Sequence, residues 1–385
     1  MQLVNSTESE VRSSAARRLK VLHVGKFYPP HMGGIETHLQ DLCGELRKSV
    51  DLRVLVSSDG NEPIEELRGG VSVSRVATRF TLASTPFCPA MAGRIRRAQA
   101  DIIHIHLPNP MAVLAYLASG HRGRLVITYH SDTVRQKVLG ALFEPLLQQA
   151  LRRSSAIIAT SPNYVRSSRV LSQHQERCHV IPLGIPIENF SHCDPGAAAA
   201  IRQRYGERLI VSVGRLVYYK GFAHLIRAMA QVDAKLLIVG EGPLRDKLGA
   251  VASEAGVADR VFFLGKIDHE TLVSCYHAAS VFALASIARS EAFGIAQVEA
   301  MAAGLSVVNT QLDSGVPFVS LHGQTGLTVP PEDPQALAAA ITRLLQDPAL
   351  RANYGEAARM RARQEFSLET MSSRVADLYQ AVLDG

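Results

Sequence analysis

The sequence ASIARSEAFGIAQVEAMAAGLSVVNT, residues 285–310, decides how this chain is expected to fold. It follows an apolar run, residues 280–285, which is typical of a buried parallel strand that ends in a polar loop. A helix is predicted from Ile295 until Gly304 ends it, and Leu305 begins a further strand. This order is a βαβ unit, and open parallel sheets bind ligands at the carboxyl ends of such strands.

Two glutamates carry the chemistry of this stretch. Glu291 and Glu299 are eight positions apart, which along a helix is roughly 12 Å. Carboxylates that flank one scissile glycosidic bond lie about 5 Å apart in retaining enzymes and under about 10 Å apart in inverting ones. We therefore expect the pair to hold opposite ends of an extended ligand, with sugar hydroxyls at Glu291 and ribose hydroxyls at Glu299. Two solvated glutamates are the alternative. Unpaired backbone N–H groups at Phe293, Gly294 and Ile295 suit hydroxyl or phosphate oxygens.

The segment SEAFGIAQVEAMAAGLSVV, residues 290–308, resembles the donor-binding signature of the retaining glycosyltransferases of family 4. The resemblance continues through HGQTGLTVPPEDPQALAAAI, residues 322–341, and covers nearly everything from Lys20 to the C-terminus. Family members usually have Gly or Ser where Ala292 stands. The resemblance implies an α/β protein with the GT-B fold, in which two Rossmann-like doubly wound parallel-sheet domains face a cleft.

The composition fits a two-domain globular protein. A chain of 385 residues with 47% apolar and 20% charged residues forms cores and is long for one domain. Its five cysteines are odd in number and lack C-x-x-C spacing, which indicates neither a disulfide framework nor a zinc site and favours the cytoplasm. We find no apolar run of about 18 residues and no signal peptide, and we expect residues 1–17 to form a flexible tail.

The charge is unevenly distributed along the chain. Residues 1–187 hold 23 Lys/Arg against 14 Asp/Glu, or +9, whereas the rest holds 18 against 21, or −3. Nucleic acid is not favoured, because no recognition motif or aromatic-interleaved basic stripe is present. An anionic membrane surface or a lipid-linked acceptor is the better partner. The stretch VRQKVLGALFEPLLQQALRR, residues 134–153, fits either core packing or peripheral contact at the inner face of the cytoplasmic membrane.

Three further candidate positions lie in the first half. Gly33 and Gly34 precede a helix predicted from about Ile35, and His130 follows a strand in TYHSD. A glycine pair often marks an ordinary turn, and a lone histidine is more often structural. The resemblance implies that the glycine loop lies near the donor phosphates and that His130 lies near the donor sugar and phosphate. His104 and His106 alternate on one strand and face one side, but the sequence offers no third metal ligand.

A second strand series begins after an expected linker. We expect a first domain over residues 18–187, joined by a C-terminal helix at 368–385, a linker at 188–205 and a donor-binding domain at 206–367. Arg215 follows a strand and Lys220 precedes a helix, a spacing that suits a diphosphate bridge. The family uses the matching cations as diphosphate ligands. The segment VGEGPL, residues 239–244, lacks the third glycine of a dinucleotide fingerprint, which argues against a hydride-transferring enzyme.

The resulting hypothesis is retaining, metal-independent transfer of a hexose from a nucleoside-diphosphate sugar to a saccharide or lipid-linked acceptor. Catalytic roles are predicted for His130, Arg215, Lys220 and Glu291, with no metal and no cofactor. The resemblance to bacterial surface-polysaccharide and lipopolysaccharide enzymes favours GDP-mannose over UDP-hexoses. A UDP-hexose transferase is the first alternative, and a non-catalytic nucleotide-sugar-binding protein is the second.

Overall fold

The computed structural model describes residues 17–31, 33–132 and 137–385, although the side chains of residues 137–142 are not among those described. The expected N-terminal tail, residues 1–17, therefore lies outside the described residues except at its last position. Among the residues that are described, no helix is both long enough and apolar enough to cross a bilayer.

The first sheet takes its strands from residues 20–180. The strands of this half are β1 (Lys20–Val24), β2 (Asp51–Ser57), β3 (Ile64–Arg68), β4 (Val71–Val76), β5 (Phe80–Leu82), β6 (Thr85–Phe87), β7 (Ile102–Leu107), β8 (Arg124–Tyr129), β9 (Ala156–Ala159) and β10 (Cys178–Val180). Eight of them pair in the order β10-β9-β8-β7-β1-β2-β4-β3, and only β3 runs antiparallel to its neighbour. Strands β5 and β6 form a separate hairpin.

Helices cover both faces of this sheet. They are α1 (Gly34–Leu46), α2 (Ala90–Arg97), α3 (Pro110–Ser119), α4 (Lys137–Arg153) and α5 (Pro162–Ser167), with 3-10 turns at Leu171–Gln173 and Gln175–Arg177. Side chains of Phe143, Leu147 and Leu151 on α4 pack into the first domain's core. Core packing therefore accounts for these three positions of the 134–153 stretch, whereas residues 134–136 lie outside the described residues.

The second sheet is entirely parallel. Its strands are β11 (Leu209–Val213), β12 (Lys235–Val239), β13 (Val261–Gly265), β14 (Val281–Leu284), β15 (Ser306–Thr310) and β16 (Gly326–Val329), in the order β13-β12-β11-β14-β15-β16. The helices of this half are α6 (Glu188–Ser191), α7 (Pro195–Tyr205), α8 (Phe222–Ala228), α9 (Arg245–Glu254), α10 (His269–Ala278), α11 (Ile295–Ala302), α12 (Val316–Val319), α13 (Pro334–Gln346), α14 (Pro348–Phe366) and α15 (Leu368–Asp384), with 3-10 turns at Tyr218–Lys220 and Met229–Gln231. Apolar helix faces on both sides complete a doubly wound α/β domain.

Each sheet reverses its direction of strand addition at one point. In the first sheet the reversal lies between β1 and β7, and in the second it lies between β11 and β14. Parallel sheets open a crevice at the carboxyl ends of the two strands that flank such a switch point. The loops that follow these four strands are therefore where a ligand site is expected.

Residues 188–205 are not the irregular linker expected from the sequence. They contain helices α6 and α7, and Ala198 and Tyr205 are buried in the second domain's core. The side chain of Asp194 accepts a hydrogen bond from the Gly196 N–H, and Pro195 occupies the first turn of α7. An Asp N-cap followed by Pro in the first turn is a common way to start a helix.

The terminal helix α15 packs on the first domain, although the chain reaches it from the second. Its buried side chains share a core with α1 and β1; they are Met371, Val375, Leu378, Tyr379 and Val382. The chain passes from one domain to the other twice, near Ile185 and near Ser367, and a β-bridge joins these two residues. Helix α15 thereby brings side chains from the C-terminal part of the chain against strands β1 and β7, which flank the switch point of the first sheet.

Candidate functional site

Lys220 and Glu291 form a buried ion pair at the second sheet's switch point. Lys220 Nζ lies 2.5 Å from Glu291 Oε2, and the two side chains are only 13% and 10% exposed. The Ser286 hydroxyl donates to the same carboxylate oxygen over 3.0 Å. Burial lowers the pKa of Lys220, but the neighbouring carboxylates and Tyr219 outweigh it, so the pKa is raised and the amine stays protonated.

The loops after β11 and β14 are locked together, which explains the pairing. Gly221 has φ +65°, and a Cβ at this position would collide with the carbonyl oxygen of Ala285. The Ile287 N–H donates to the carbonyl of Tyr219 over 2.8 Å. Only glycine allows this close approach of the two backbones. Lys220 therefore meets Glu291 because the strands that precede them are neighbours in the sheet.

Glu291 is held at the entrance to helix α11. Gly294 caps this helix in the left-handed region at φ +79°, a conformation that glycine adopts without strain. The Phe293 ring is 3% exposed and packs edge-on against Phe366, with ring centroids 5.8 Å apart. Phe293 thus anchors the loop through its side chain, and only its backbone, with those of Gly294 and Ile295, remains for a ligand.

Glu299 lies further along α11 and has a different partner. The hydroxyl of Tyr276 donates to Glu299 Oε2 over 2.7 Å. Burial raises the pKa of Glu299, while the tyrosine hydrogen bond and the charges of His269 and Lys220 oppose that rise. The two glutamates are therefore held by separate partners, Glu291 by Lys220 in the loop before α11 and Glu299 by Tyr276 in the second turn of the helix.

Arg215 is the exposed cation of the site. It follows β11, and its exposed side chain makes no hydrogen bond or ion pair with the described part of the chain. Gly240 and Gly242 fix its loop, because a Cβ at either position would press on the backbone of Gly214 or Leu216. Arg215 is therefore positioned by its backbone and has a free guanidinium.

His130 lies at the carboxyl end of β8 and is 7% exposed. Its Nε2 lies 3.3 Å from Nδ1 of His106, and the His38 ring meets it edge-on with centroids 4.9 Å apart. Burial, helped by His38, holds the pKa of His130 well below its usual value, so the ring is neutral. His38 belongs to the second turn of α1, which places the glycine loop on the same edge of the sheet.

Gly33 and Gly34 show no backbone need for glycine. Gly33 is extended, with φ −179°, and a Cβ there would meet only the flexible carboxylate end of Glu36. A Cβ at Gly34 would meet nothing. Their predicted contact with donor phosphates stays a prediction.

An ion pair across the cleft was missed from the sequence. Arg289 Nη2 lies 3.0 Å from Asp132 Oδ2, and its Nη1 donates to the carbonyl of Ser167 over 2.7 Å. The loop after His130 is thereby tied to the loop that carries Glu291. Each of the two residues stands two positions from a predicted site residue, Asp132 from His130 and Arg289 from Glu291, and this proximity was the signal that the sequence offered.

Two groups of three buried histidines lie close enough to share a metal ion. They are His23, His104 and His106, and His38, His106 and His130. His23 is a third potential ligand beside His104 and His106, which the sequence alone did not indicate, because it lies opposite His104 in the pairing of β1 with β7. Neither group includes a carboxylate. Both groups include His106, whose two ring nitrogens already lie within hydrogen-bond distance of His23 and His130. We therefore assign no metal here, and metal independence stays a prediction.

The chain matches two family models in turn. Residues 32–189 match "Glycosyltransferase Family 4", and residues 198–361 match "Glycosyl transferases group 1". The boundary between the two matches lies between the two sheets.

Curated relatives cover almost the whole chain. It is 35% identical over 354 residues to the D-rhamnosyltransferase WbpZ of Pseudomonas aeruginosa, covering 91% of this chain and 92% of the relative. It is 32% identical over 370 residues to the O-antigen chain mannosyltransferase C of Escherichia coli, covering 95% and 99%. It is also 32% identical over 380 residues to the GDP-mannose-dependent alpha-(1-6)-phosphatidylinositol monomannoside mannosyltransferase of Mycolicibacterium smegmatis, covering 93% and 97%.

Solved structures share the two-domain architecture. The sucrose-phosphate synthase of Thermosynechococcus elongatus superposes with a TM-score of 0.79 at 25% identity, covering 95% of this chain and all of that one. HepE of Anabaena, solved in complex with UDP, superposes with a TM-score of 0.78 at 24% identity, covering 94% and 100%. The chain therefore belongs to glycosyltransferase family 4, and its two domains form the GT-B fold.

Proposed function

We propose that this protein transfers a hexose from a nucleoside-diphosphate sugar to a saccharide or lipid-linked acceptor, with retention of the anomeric configuration. The observation that carries the proposal is the arrangement around the start of α11, where Glu291 pairs with Lys220 in the loop before the helix and Glu299 pairs with Tyr276 in its second turn. A donor laid along this helix has its sugar hydroxyls at Glu291, its diphosphate near Lys220 and its ribose at Glu299.

Stabilisation of the leaving group supplies the chemistry in this proposal. As the bond between C1 and the phosphate oxygen breaks, negative charge grows on the diphosphate. Lys220, the unpaired guanidinium of Arg215 and the amides at the start of α11 neutralise it in place. The acceptor hydroxyl then bonds to C1 on the face that the phosphate leaves, and its proton passes to the departing phosphate. Among the side chains that the structure describes, we find none suited to act as a nucleophile, which supports this front-face route.

GDP-mannose is the donor we propose first. One relative at 32% identity is named for GDP-mannose and another for mannose transfer to O-antigen, so bacterial surface-polysaccharide or lipopolysaccharide synthesis is the proposed context. A UDP-hexose is the second candidate, because HepE was solved with UDP and with UDP-glucose. A deoxyhexose is a further candidate for the transferred sugar, because one relative is named a D-rhamnosyltransferase.

A ligand screen tests the donor. Thermal melting is compared with GDP-mannose, UDP-glucose, GDP and UDP, since a ligand at 100 times its Kd stabilises the folded protein by about 2.7 kcal/mol. GDP-mannose and GDP should raise the melting temperature, and the uridine ligands should not. The opposite order would replace GDP-mannose by a UDP-hexose. Stabilisation without turnover on any saccharide or lipid-linked acceptor would favour the non-catalytic alternative.

Product stereochemistry and metal dependence are tested on the same reaction. NMR of the new glycosidic bond should show the anomeric configuration of the donor, and the inverted anomer would reject the front-face route. Turnover should survive excess EDTA, because Lys220 and Arg215 supply the positive charge. Loss of activity that only Mg²⁺ or Mn²⁺ restores would reject metal independence.

We also propose cytoplasmic catalysis with peripheral contact between the first domain and an anionic membrane. The domain's positive charge supports this, and so do the exposed apolar side chains of the β5–β6 hairpin, Phe80, Leu82 and Phe87. Helix α2, which begins three residues after the hairpin, ends in Arg94, Arg96 and Arg97.

Liposome flotation tests this contact. The protein should float with anionic vesicles at low salt and less so at high salt, because salt screens the attraction. A Phe80→Ser/Leu82→Ser variant should float less at both salt concentrations. Equal recovery of the wild type with neutral and anionic vesicles would reject the electrostatic part.

A further inference from the structure

An unbroken chain of hydrogen bonds leads from Thr128 on β8, through Tyr379 on the terminal helix α15, to His130. Its six members are joined in the order Thr128 Oγ1–His104 Nε2 (2.7 Å), His104 Nδ1–Tyr379 OH (2.5 Å), Tyr379 OH–His23 Nε2 (3.2 Å), His23 Nδ1–His106 Nε2 (3.1 Å) and His106 Nδ1–His130 Nε2 (3.3 Å). We call these six residues the histidine relay.

The sheet register brings the relay together. His23 lies opposite His104 on adjacent strands, and His106 lies opposite Thr128. Because side chains two positions apart share a face, all these residues point to the side that α1 and α15 cover. Tyr379 reaches this face from α15 and bridges His104 and His23.

Every member of the relay has one hydrogen-bonding proton. Burial lowers the pKa of His23 to about 3 and holds the pKa values of the other three rings well below their usual range. Burial also raises the pKa of Tyr379. Each imidazole is therefore neutral, with one N–H donor and one acceptor nitrogen, and each hydroxyl can donate once.

The buried hydroxyl at the start of the relay sets its direction. Thr128 is 2% exposed, and within the described residues its hydroxyl has one hydrogen-bond partner, His104 Nε2. A buried O–H proton without an acceptor is costly, so Thr128 donates to His104. The proton of His104 then occupies Nδ1 and is donated to Tyr379, which must donate to His23 in turn. The same logic places the proton of His23, and then that of His106, on Nδ1.

We propose that Thr128 and Tyr379 act through the relay to hold His130 in the tautomer that carries its proton on Nδ1. Its Nε2 accepts from His106, so Nδ1–H is the donor left for the cleft. A neutral N–H suits a sugar hydroxyl or a phosphate oxygen, and this assignment of its ligand rests on the proposed function. Thr128 and Tyr379 are positioning residues, because neither reaches the substrate.

The relay also bears on metal binding. His23 and His106 use both ring nitrogens in hydrogen bonds to neighbours. A metal ion on either ring would have to displace one of those bonds. Stoichiometric metal in the purified protein, bound through these rings, is therefore incompatible with the proposal.

The test measures the tautomer in the free protein. Histidines are labelled with ¹⁵N, long-range ¹H–¹⁵N spectra report which nitrogen is protonated, and a His130→Gln variant identifies the signal. In the wild type His130 should be protonated on Nδ1 alone. Thr128→Val and Tyr379→Phe should each give a mixture of tautomers, whereas Thr128→Ser, which keeps the hydroxyl, should restore the single form. Tyr116→Phe is the matched control, because this buried tyrosine lies outside the relay.

Measurements of kcat then show whether Thr128 positions His130 or only packs against its neighbours. Loss of a correctly oriented neutral donor should lower kcat about threefold to tenfold in Thr128→Val, and Thr128→Ser should recover it. Thr128→Val decides the matter if Tyr379→Phe fails to fold. An Nε2–H tautomer in the wild type, a single Nδ1–H form in both disrupted variants, or zinc on the rings would each overturn the proposal. A wild type that shows these tautomers but transfers no sugar would refute the proposed function and leave the relay standing.

Discussion

The Lys220–Glu291 pair allows a quantitative test of the site. At 2.5 Å, the Coulomb attraction is about 7 kcal/mol at an effective dielectric constant of 20. Desolvation of two nearly buried charges offsets most of that attraction. Removing one partner leaves the other charge buried and unpaired, and for such pairs the cost is about 3–5 kcal/mol. We take about 3 kcal/mol, because both side chains keep some access to the cleft.

The perturbation is a double-mutant cycle. Lys220→Met and Glu291→Gln should each lower the melting temperature of the second domain by about 6–12 °C, the shift that about 3 kcal/mol causes in a domain of 150–250 residues. The double variant leaves no unpaired charge, and its Gln can still accept from Ser286. It should therefore cost less than the sum of the single variants by about 2–3 kcal/mol.

An exposed pair of nearly the same length provides the control. Arg208 Nη1 lies 2.6 Å from Asp233 Oδ2, but these side chains are 57% and 93% exposed. Arg208→Met should cost no more than about 1 kcal/mol, because water already solvates both charges. Scanning calorimetry on all four variants decides the matter. If Lys220→Met matches Arg208→Met, or if the double variant equals the sum of the singles, the pair does not stabilise the site as argued.

The remaining predictions concern the nucleotide, the cleft and pH. Glu299→Gln should weaken nucleoside-diphosphate binding by about 1.5–3 kcal/mol in calorimetric titration. Glu291→Gln should leave that binding nearly intact. The reverse result would mean that the donor lies along α11 in the other direction. Arg289→Ala removes the ion pair across the cleft and should increase the radius of gyration in small-angle scattering, and an unchanged radius would contradict that role. Lowering the pH from 7 to 5 should destabilise the first domain, because burial lowers the pKa of His38 to about 4 and that of His23 to about 3 in the folded protein. Unfolded histidine takes up protons near pH 6.5, so each ring contributes a loss of about 2 kcal/mol at pH 5. Asp41, whose pKa burial raises to about 6, opposes part of this loss, and a first-domain melting temperature that is the same at both pH values would refute the prediction.

The core strands were predictable, because parallel strands buried on both faces leave apolar runs in the sequence. Strand β14 occupies residues 281–284, within the predicted apolar run 280–285, and β15 begins at Ser306, one residue after the predicted start at Leu305. Strand β3 and the β5–β6 hairpin were missed, since their side chains are mostly exposed and show no buried face. They lie at or beyond the edge of the sheet, where burial leaves no periodic pattern.

The sequence suggested a role for each candidate site residue, but it did not show which residues would be their partners. Glu291 was predicted to hold a sugar and Lys220 a diphosphate, yet 71 positions of sequence separate them, and only the β11–β14 adjacency brings them together. His104 and His106 were expected on one face, but His23 could not be added to them without the β1–β7 pairing. Strand order is a property of the whole sheet, and no local pattern encodes it.

Both switch points therefore bring distant parts of the sequence together in the same way. Each places a strand from early in its domain beside one from later, so loops that are distant in sequence come together at a crevice. In the second sheet the residues brought together are charged, and they face a diphosphate in our proposal. In the first they are neutral imidazoles, because α1 and α15 bury that face and exclude the water that would stabilise a charge. The proposed donor would thus meet fixed charge from one domain and an oriented, uncharged N–H from the other. Positive charge would then lie on the diphosphate side of the breaking bond, where negative charge develops.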